Sequence, residues 1–374
     1  MASAPTTKNT ITGSLQSTSH NKHDVYFAVS SMRGRRHTQE DTFVIQTELK
    51  VHGSTSPEEM LPDHALFAVF DGHGTSYASE YVARHFISTF CNQPSFVEYS
   101  SRFLERSKKC NNKLLDRNIS LLEDAINSTM LTLDGKLLEE IVSKTNNTDM
   151  GNSVNENEGV FEYSDAGTTA IIVILTPRDI LCANLGDSRA ILQRSRSGTN
   201  DSTITLSMDH KPYKESEEAR IRRAGGVLLG GKIEARLAVS RALGDFDFKH
   251  KLSVFRAAGI FIRENVSGMD DYVTPESQMV SSVPEITVIR REALSDKFLV
   301  IASDGIWDVL SNEKCINLLA SIFVRRGQSI ALACEDLLDQ CYTRGSLDNM
   351  TAILIRFAPE SIGCGDGIMH RRKH

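Results

Sequence analysis

Residues 65–74 have the sequence Ala-Leu-Phe-Ala-Val-Phe-Asp-Gly-His-Gly, in which an apolar run is followed directly by Asp71, Gly72 and His73. A continuous apolar run of this length is typical of a strand that is buried on both faces. The Asp-Gly pair marks the end of the strand, since both residues favour turns. The run therefore predicts a buried strand that delivers a carboxylate and an imidazole to one edge of a sheet.

Three more aspartates stand near the ends of apolar segments. Asp187 and Asp304 follow such segments, and Asp348 precedes one. Any one of them fits an ordinary turn, but four carboxylates that converge on one edge would repel one another unless a cation neutralised them. Because the pattern offers oxygen ligands and no Cys or His spacing, it predicts Mg²⁺ or Mn²⁺ rather than zinc.

The periodicity of the remaining chain predicts a mixed fold. Segments of strand length with β-branched or aromatic content are residues 25–29, 42–47, 65–70, 169–175, 180–185, 190–193, 285–289, 298–302 and 351–357. Short polar links between several of them suit antiparallel hairpins. Apolar residues at helical spacing predict helices over residues 77–90, 118–142, 215–224, 312–325 and 328–344. The sequence thus indicates an α+β fold with antiparallel sheets.

The composition argues against several classes of partner. The 374 residues include 42 Lys+Arg and 48 Asp+Glu, and the net charge of −6 disfavours nucleic acid or a membrane surface as a partner. No apolar run approaches the roughly 20 residues that cross a bilayer. The cysteines are scattered without a Cys-x-x-Cys pair, which indicates a reducing compartment and predicts a cytoplasmic or nuclear location.

The two ends of the chain are expected to lie outside the folded domain. Residues 1–23 are polar and aperiodic and predict a flexible N-terminal arm. Residues 359–374 form a polar tail that ends in basic residues.

A series of short motifs resembles that of the metal-dependent Ser/Thr protein phosphatases of type 2C. The motifs, in chain order, are Arg36-His37-Thr38-Gln39-Glu40-Asp41, Phe70-Asp71-Gly72-His73-Gly74, Ala166-Gly167-Thr168-Thr169-Ala170, Gly186-Asp187-Ser188-Arg189, Asp209-His210-Lys211-Pro212, Leu237 to Asp245, Ala302 to Asp308, and Asp348-Asn349-Met350-Thr351. The resemblance covers about residues 25–357 and implies one catalytic domain over residues 24–358. It further implies a four-layer α-β-β-α sandwich, with two antiparallel sheets and a metal cleft at one edge.

The resemblance also implies two Mg²⁺ or Mn²⁺ ions per subunit. The residues that match the metal-binding positions are Asp71, Gly72 through its carbonyl, Glu40, Asp304 and Asp348. Asp71 would bridge the two ions, and a water activated by them would attack the phosphorus. Asp187 has two interpretations: it holds a third, weaker ion together with Asp304, as in some relatives, or it supports the site from outside.

Two residues match the positions that handle the substrate. Arg36 matches the arginine that binds the phosphate. His73 matches the general acid that protonates the departing Ser or Thr oxygen, and a loop histidine hydrogen-bonded to a carboxylate is the alternative. For Arg241 and Asp245, a structural salt bridge is the expected role.

The implied activity is hydrolysis of phosphoserine and phosphothreonine in phosphorylated proteins, by a monomer. No cysteine is followed by Arg at the spacing that a cysteine phosphatase needs, and Asp71 lacks the second Asp that a haloacid-dehalogenase phosphatase needs two residues later. The alternative function is a catalytically inactive phosphatase fold that acts as a scaffold or binding module. The presence of Glu40, Asp71, Asp304 and Asp348 favours the enzyme.

Overall fold

The structure is a computed structural model that describes residues 8–15, 25–50, 60–108, 118–148, 166–195, 202–250, 254, 258–259, 273–292, 294–325 and 329–357. The predicted tail over residues 359–374 lies outside the described residues. Most residues of the insertions at residues 146–165 and 250–282 also lie outside the described residues.

The described strands and helices follow one another along the chain as α+β elements. The strands are β1 (Lys8–Leu15), β2 (Val25–Met32), β3 (Thr42–Gln46), β4 (Ala65–Phe70), β5 (Gly72–His73), β6 (Gly167–Thr168), β7 (Ala170–Leu175), β8 (Asp179–Leu185), β9 (Arg189–Arg194), β10 (Ser202–Thr205), β11 (Leu228–Leu229), β12 (Lys232–Ile233), β13 (Leu243–Gly244), β14 (Glu285–Arg290), β15 (Asp296–Ala302) and β16 (Met350–Phe357). The helices are α1 (Tyr77–Cys91), α2 (Pro94–Lys108), α3 (Ile119–Thr148), α4 (Glu215–Arg223), α5 (Asp304–Trp307), α6 (Asn312–Arg325) and α7 (Ile330–Thr343). Short 3₁₀ turns cover Phe246–Phe248 and Pro275–Ser277. In this part of the chain, no helix is both long and apolar enough to span a bilayer.

The strands form two large sheets and two small ones. A six-stranded sheet has the order β1-β2-β16-β15-β9-β10, and a five-stranded sheet has the order β14-β8-β7-β4-β3. A three-stranded sheet, β13-β6-β5, and the hairpin β11-β12 complete the set. All neighbouring strands within these sheets are antiparallel, as the short polar links predict.

The prediction of a flexible arm over residues 1–23 is wrong for residues 8–15. These residues form β1, which pairs with β2 from Lys8 opposite Met32 to Leu15 opposite Val25. The Lys8 ammonium also lies 2.5 Å from the Asp339 carboxylate of α7. Pairing of this kind satisfies backbone N–H and C=O groups that β2 would otherwise expose at the sheet edge. The apolar pattern of the sequence does not predict β1, because this strand is stabilised by backbone hydrogen bonds more than by apolar burial.

Strand β4 is buried on both faces, as its apolar sequence predicts. Phe67 and Val69 belong to an apolar cluster that also contains Val29, Ile301 and Ile353 from the six-stranded sheet. The alternate residues of the strand pack in a second cluster with residues of α1, α2 and α3. A third cluster joins the other face of the six-stranded sheet to α6 and α7. The five predicted helices are confirmed, whereas α2 and the single turn α5 are not predicted by the sequence.

An ion pair is buried near the three-stranded sheet. The Lys249 ammonium lies 2.9 Å from the Asp134 carboxylate of α3, and the two side chains are 0% and 1% exposed. Lys249 also donates to the Ala242 carbonyl, and the Gly244 N–H donates to Asp134 Oδ1. The pair therefore connects α3 to the segment that contains β13.

We expect Asp134→Ala to lower the free energy of unfolding by about 3–5 kcal/mol, because it leaves the Lys249 ammonium buried without its anion. Urea denaturation monitored by circular dichroism measures the loss. Asp339→Ala is the control, since the exposed pair with Lys8 contributes at most about 1 kcal/mol. Equal losses in the two variants would contradict this interpretation of the buried pair.

Candidate metal centre

Three carboxylates converge where strands of the two large sheets end. Asp71 follows β4, Asp187 follows β8, and Asp304 follows β15 at the first position of α5. One carboxylate oxygen from each residue lies within 4.8 Å of the others. We call Asp71, Asp187 and Asp304 the carboxylate cluster. The predicted convergence of these residues on one edge is therefore what the structure shows.

The remaining predicted ligands line the same cleft, which has a volume of about 450 Å³. Asp348 and Glu40 are both in its wall, but neither belongs to the carboxylate cluster. The backbone N–H of Glu40 donates to Asn349 Oδ1 at 2.8 Å, which ties the segment before β3 to the segment before β16. The structure thus places all of the predicted metal-binding residues around one cavity, and three of them form the carboxylate cluster.

Gly72 occupies a position where a side chain does not fit. A Cβ atom at this residue would lie 2.5 Å from the Glu40 carbonyl oxygen and 2.7 Å from Ser79 Oγ. Real Cβ contacts are longer than this, so glycine lets the backbone after Asp71 lie close to the segment that carries Glu40. This close approach brings the Gly72 backbone to the cleft wall, in agreement with a carbonyl ligand.

The electrostatics of the carboxylate cluster favour a bound cation. Burial raises the pKa of Asp71 well above its ordinary value, and the neighbouring carboxylates of Asp41, Asp304 and Asp187 raise it further. Burial and the same kind of repulsion also raise the pKa of Asp304. These carboxylates are therefore costly to ionise together without a counter-charge. A hard divalent cation supplies that charge and prefers oxygen ligands, so the residues fit Mg²⁺ or Mn²⁺.

Asp41 is a member of the site that the sequence analysis missed. Its side chain is buried, and Oδ2 accepts a hydrogen bond from Ser303 Oγ at 2.9 Å. Its other oxygen has no hydrogen-bond partner among the described residues. Burial raises the pKa of Asp41 to about 6. The sequence offers one indication of this role, since Asp41 directly follows the predicted ligand Glu40. That neighbouring position alone does not show that the Asp41 carboxylate lies close to Asp71.

Two of the acidic residues are already paired with a cation of the protein. Lys211 forms an ion pair with Asp187, and Arg36 Nη2 donates to Asp348 Oδ2 at 2.6 Å. A divalent ion at Asp187 must compete with the Lys211 ammonium. The sequence analysis did not assign Lys211 a role, because the pair joins residues that are 24 positions apart.

His73 lines the same cleft and contacts Asp245. His73 Nε2 is 2.9 Å from Asp245 Oδ1 and 2.8 Å from Oδ2. Burial lowers the pKa of the imidazole, but the carboxylates of Asp245, Asp187 and Glu40 together outweigh burial, and the pKa is raised. The expected structural salt bridge is confirmed for Arg241, which pairs with Glu217 at 2.7 Å, whereas Asp245 contacts His73 in the cleft instead. Arg241 is structural, whereas Asp245 belongs to the cleft.

The chain belongs to the protein phosphatase 2C family, whose sequence profile matches residues 25–350. This finding confirms the resemblance seen in the motifs. The chain is 31% identical over 342 residues to protein phosphatase ppm-1.A of Caenorhabditis elegans, an alignment that covers 90% of this chain and 60% of the nematode protein. The chain therefore spans less than two thirds of the length of that relative.

Two further similarities cover nearly the whole of the compared proteins. The chain is 30% identical over 358 residues to probable protein phosphatase 2C 6 of Paramecium tetraurelia, which covers 94% of this chain and 97% of that protein. The crystal structure of serine-threonine phosphatase 2C from Toxoplasma gondii superposes with a TM-score of 0.63 at 23% identity, over 94% of this chain and 99% of that one. The superposition on the Toxoplasma gondii structure establishes that the chain has the fold of this family, with helices and several antiparallel sheets.

We expect the stabilisation of the protein by Mn²⁺ to grow as the pH rises. In metal-free protein, Asp71, Asp304 and Asp41 have raised pKa values, so the folded state binds more protons than the unfolded state between about pH 4 and 6. The stability that these groups contribute is present at low pH and is lost as the pH rises through their folded-state pKa values. A divalent cation bound by the ionised carboxylates offsets this loss of stability at higher pH.

Thermal unfolding in EDTA and in millimolar Mn²⁺ measures the effect. The difference in Tm between the two conditions should be small near pH 4.5 and should increase towards pH 7.5. NaCl at the same ionic strength, without a divalent cation, is the control for screening of the carboxylate charges by salt. A difference in Tm that does not change with pH would be inconsistent with a cation bound by the carboxylates.

Proposed function

We propose that this chain is a metal-dependent protein serine/threonine phosphatase that hydrolyses phosphoserine and phosphothreonine. The observation that carries the proposal is the carboxylate cluster in the wall of the cleft, in a chain that belongs to the protein phosphatase 2C family. The inactive scaffold has less support, because Asp71, Asp304 and Asp348 are all present and all line the cleft.

The proposed cofactors are two Mg²⁺ or Mn²⁺ ions, held by Asp71, Asp304, Asp348, Glu40 and the Gly72 carbonyl. Divalent ions in such a site lower the pKa of a bound water and offset the charge of a phosphate. A third ion at Asp187 would be held more weakly, since it must displace Lys211 from that carboxylate.

Arg36 is the residue that we propose to bind the phosphate. Its side chain lines the cleft and is 55% exposed, and one of its nitrogens donates to Asp348. A guanidinium has five N–H donors, so the contact with Asp348 orients the group and leaves other donors for a phosphate oxygen. The contact with Asp348, a proposed metal ligand, and the exposure of Arg36 in the cleft support this role.

His73 is the residue that we propose to protonate the leaving oxygen. Its side chain lines the cleft, is 29% exposed, and has a carboxylate partner, Asp245, that raises the pKa of the imidazole. A serine or threonine alkoxide is a poor leaving group, so a proton donor at this point lowers the barrier.

We also propose that the layers of the fold follow the order α-β-β-α. The supporting observation is that residues of both large sheets share one apolar cluster, while the opposite faces pack against α1, α2 and α3 in one case and α6 and α7 in the other. The metal centre would then lie at one edge of the paired sheets, where β4, β8 and β15 end.

Asp304→Asn should weaken metal binding and lower kcat by about 100-fold, with partial recovery at high Mn²⁺. The substitution removes one negative ligand and keeps the size of the side chain. Hydrolysis of p-nitrophenyl phosphate over a Mn²⁺ titration measures both effects. Wild-type activity that persists in excess chelator would show that the proposed function is wrong.

His73→Gln and Arg36→Ala should change different kinetic constants. His73→Gln should lower kcat on a phosphothreonine peptide by about 100-fold and should affect p-nitrophenyl phosphate less, because its leaving group is stable without a proton. Arg36→Ala should mainly raise KM, since the arginine contacts the phosphate in both the ground state and the transition state. If His73→Gln slowed the two substrates equally, His73 would not be the general acid.

A further inference from the structure

The three-stranded sheet brings His73 and Asp245 together from distant parts of the chain. His73 of β5 is opposite Gly167 of β6, and Gly167 is opposite Gly244 of β13. Gly167 therefore lies between the histidine and the residue before Asp245. A Cβ atom at Gly167 would lie 2.3 Å from His73 Nε2 and 2.4 Å from Asp245 Oδ2. The contact between the two side chains thus depends on glycine at this position.

The Asp245 carboxylate is directed at His73. The Asp245 side chain is 3% exposed, and both of its oxygens lie within hydrogen-bond distance of Nε2. In the described ranges, no lysine or arginine forms an ion pair with it. A buried carboxylate requires a hydrogen-bonded partner, and here that partner is the imidazole.

The backbone imposes the position of Asp245. Its φ of 52° is in the left-handed region, which residues with a side chain seldom adopt. The Asp245 N–H donates to the Ala166 carbonyl at 3.1 Å, and its carbonyl accepts from the Phe248 N–H at 2.9 Å. The preceding residue, Gly244, is held by Asp134 of the buried ion pair. The hydrogen bonds with Ala166 and Phe248, and the bond that holds Gly244 to Asp134, therefore stabilise this conformation.

The arrangement determines which nitrogen of His73 can reach the substrate. Nε2 is occupied by Asp245, whereas Nδ1 has no hydrogen-bond partner within the described part of the structure. The ring lines the cleft and is partly exposed. Nδ1 is therefore the atom that remains available to a bound phosphoester.

We infer that Asp245 is the positioning residue of the general acid: it holds Nε2 of His73 so that Nδ1 faces the cleft and donates the proton. This inference rests on the proposed function of His73. As the P–O bond to the Ser or Thr oxygen breaks, that oxygen keeps the bonding electron pair and takes the Nδ1 proton. The attacking water supplies the new oxygen on phosphorus, and His73 is left neutral.

Two substitutions of Asp245 test the inference without new backbone strain. Asparagine and glycine both tolerate the left-handed conformation, so Asp245→Asn and Asp245→Gly should keep the turn. Each variant should lower kcat on a phosphothreonine peptide by about 10-fold to 100-fold and should affect p-nitrophenyl phosphate less. KM and the Mn²⁺ affinity should stay within about twofold of wild type, because no proposed metal or phosphate contact is removed. Asp339→Asn, which changes a surface pair with Lys8, is the matched control and should have wild-type kinetics.

A double substitution separates positioning from a general structural role. If Asp245 acts through His73, adding Asp245→Asn to His73→Gln should cause no further loss of kcat on the peptide. Additive losses, equal losses on the two substrates, or wild-type kinetics in both Asp245 variants would each overturn the inference. Wild-type protein with no Mn²⁺-dependent activity on either substrate would instead overturn the proposed function. The two failures are therefore distinguishable.

Discussion

Repulsion between carboxylates at the ends of buried strands is the constraint on which the proposed metal centre depends. Asp71, Asp187 and Asp304 are held close together by strands of both large sheets, which are fixed by apolar packing between the sheets. Burial and mutual repulsion raise the pKa values of Asp71 and Asp304. The fold supplies the free energy to bring these groups together, and a divalent cation would offset the cost of ionising them.

The protein neutralises part of this negative charge with its own side chains. Lys211 pairs with Asp187 and Arg36 pairs with Asp348, whereas no lysine or arginine in the described ranges forms an ion pair with Asp71 or Asp304. The two residues without such a pair are thus the ones that most need an external cation. This distribution explains why the centre of the site would bind an ion more tightly than the position beside Asp187.

The parts of the fold that depend on apolar burial could be predicted from the sequence. Strand β4 follows from its continuous apolar run, helix α1 follows from the helical spacing of its apolar residues, and the aspartates at strand ends predict the carboxylate cluster. Strand β1 could not be predicted in this way, because its polar residues are held by backbone pairing with β2. The His73–Asp245 contact joins residues 172 positions apart and depends on Gly167 between them, so only the assembled sheet shows it.

The most direct test of the account is anomalous diffraction from crystals of the protein grown with Mn²⁺. The account predicts anomalous peaks within coordination distance of the carboxylate oxygens of Asp71 and Asp304, with a weaker peak or none beside Asp187. Mn²⁺ peaks confined to other sites, with Asp71 uncoordinated at saturating Mn²⁺, would contradict the claim that repulsion in the carboxylate cluster is relieved by a bound divalent cation.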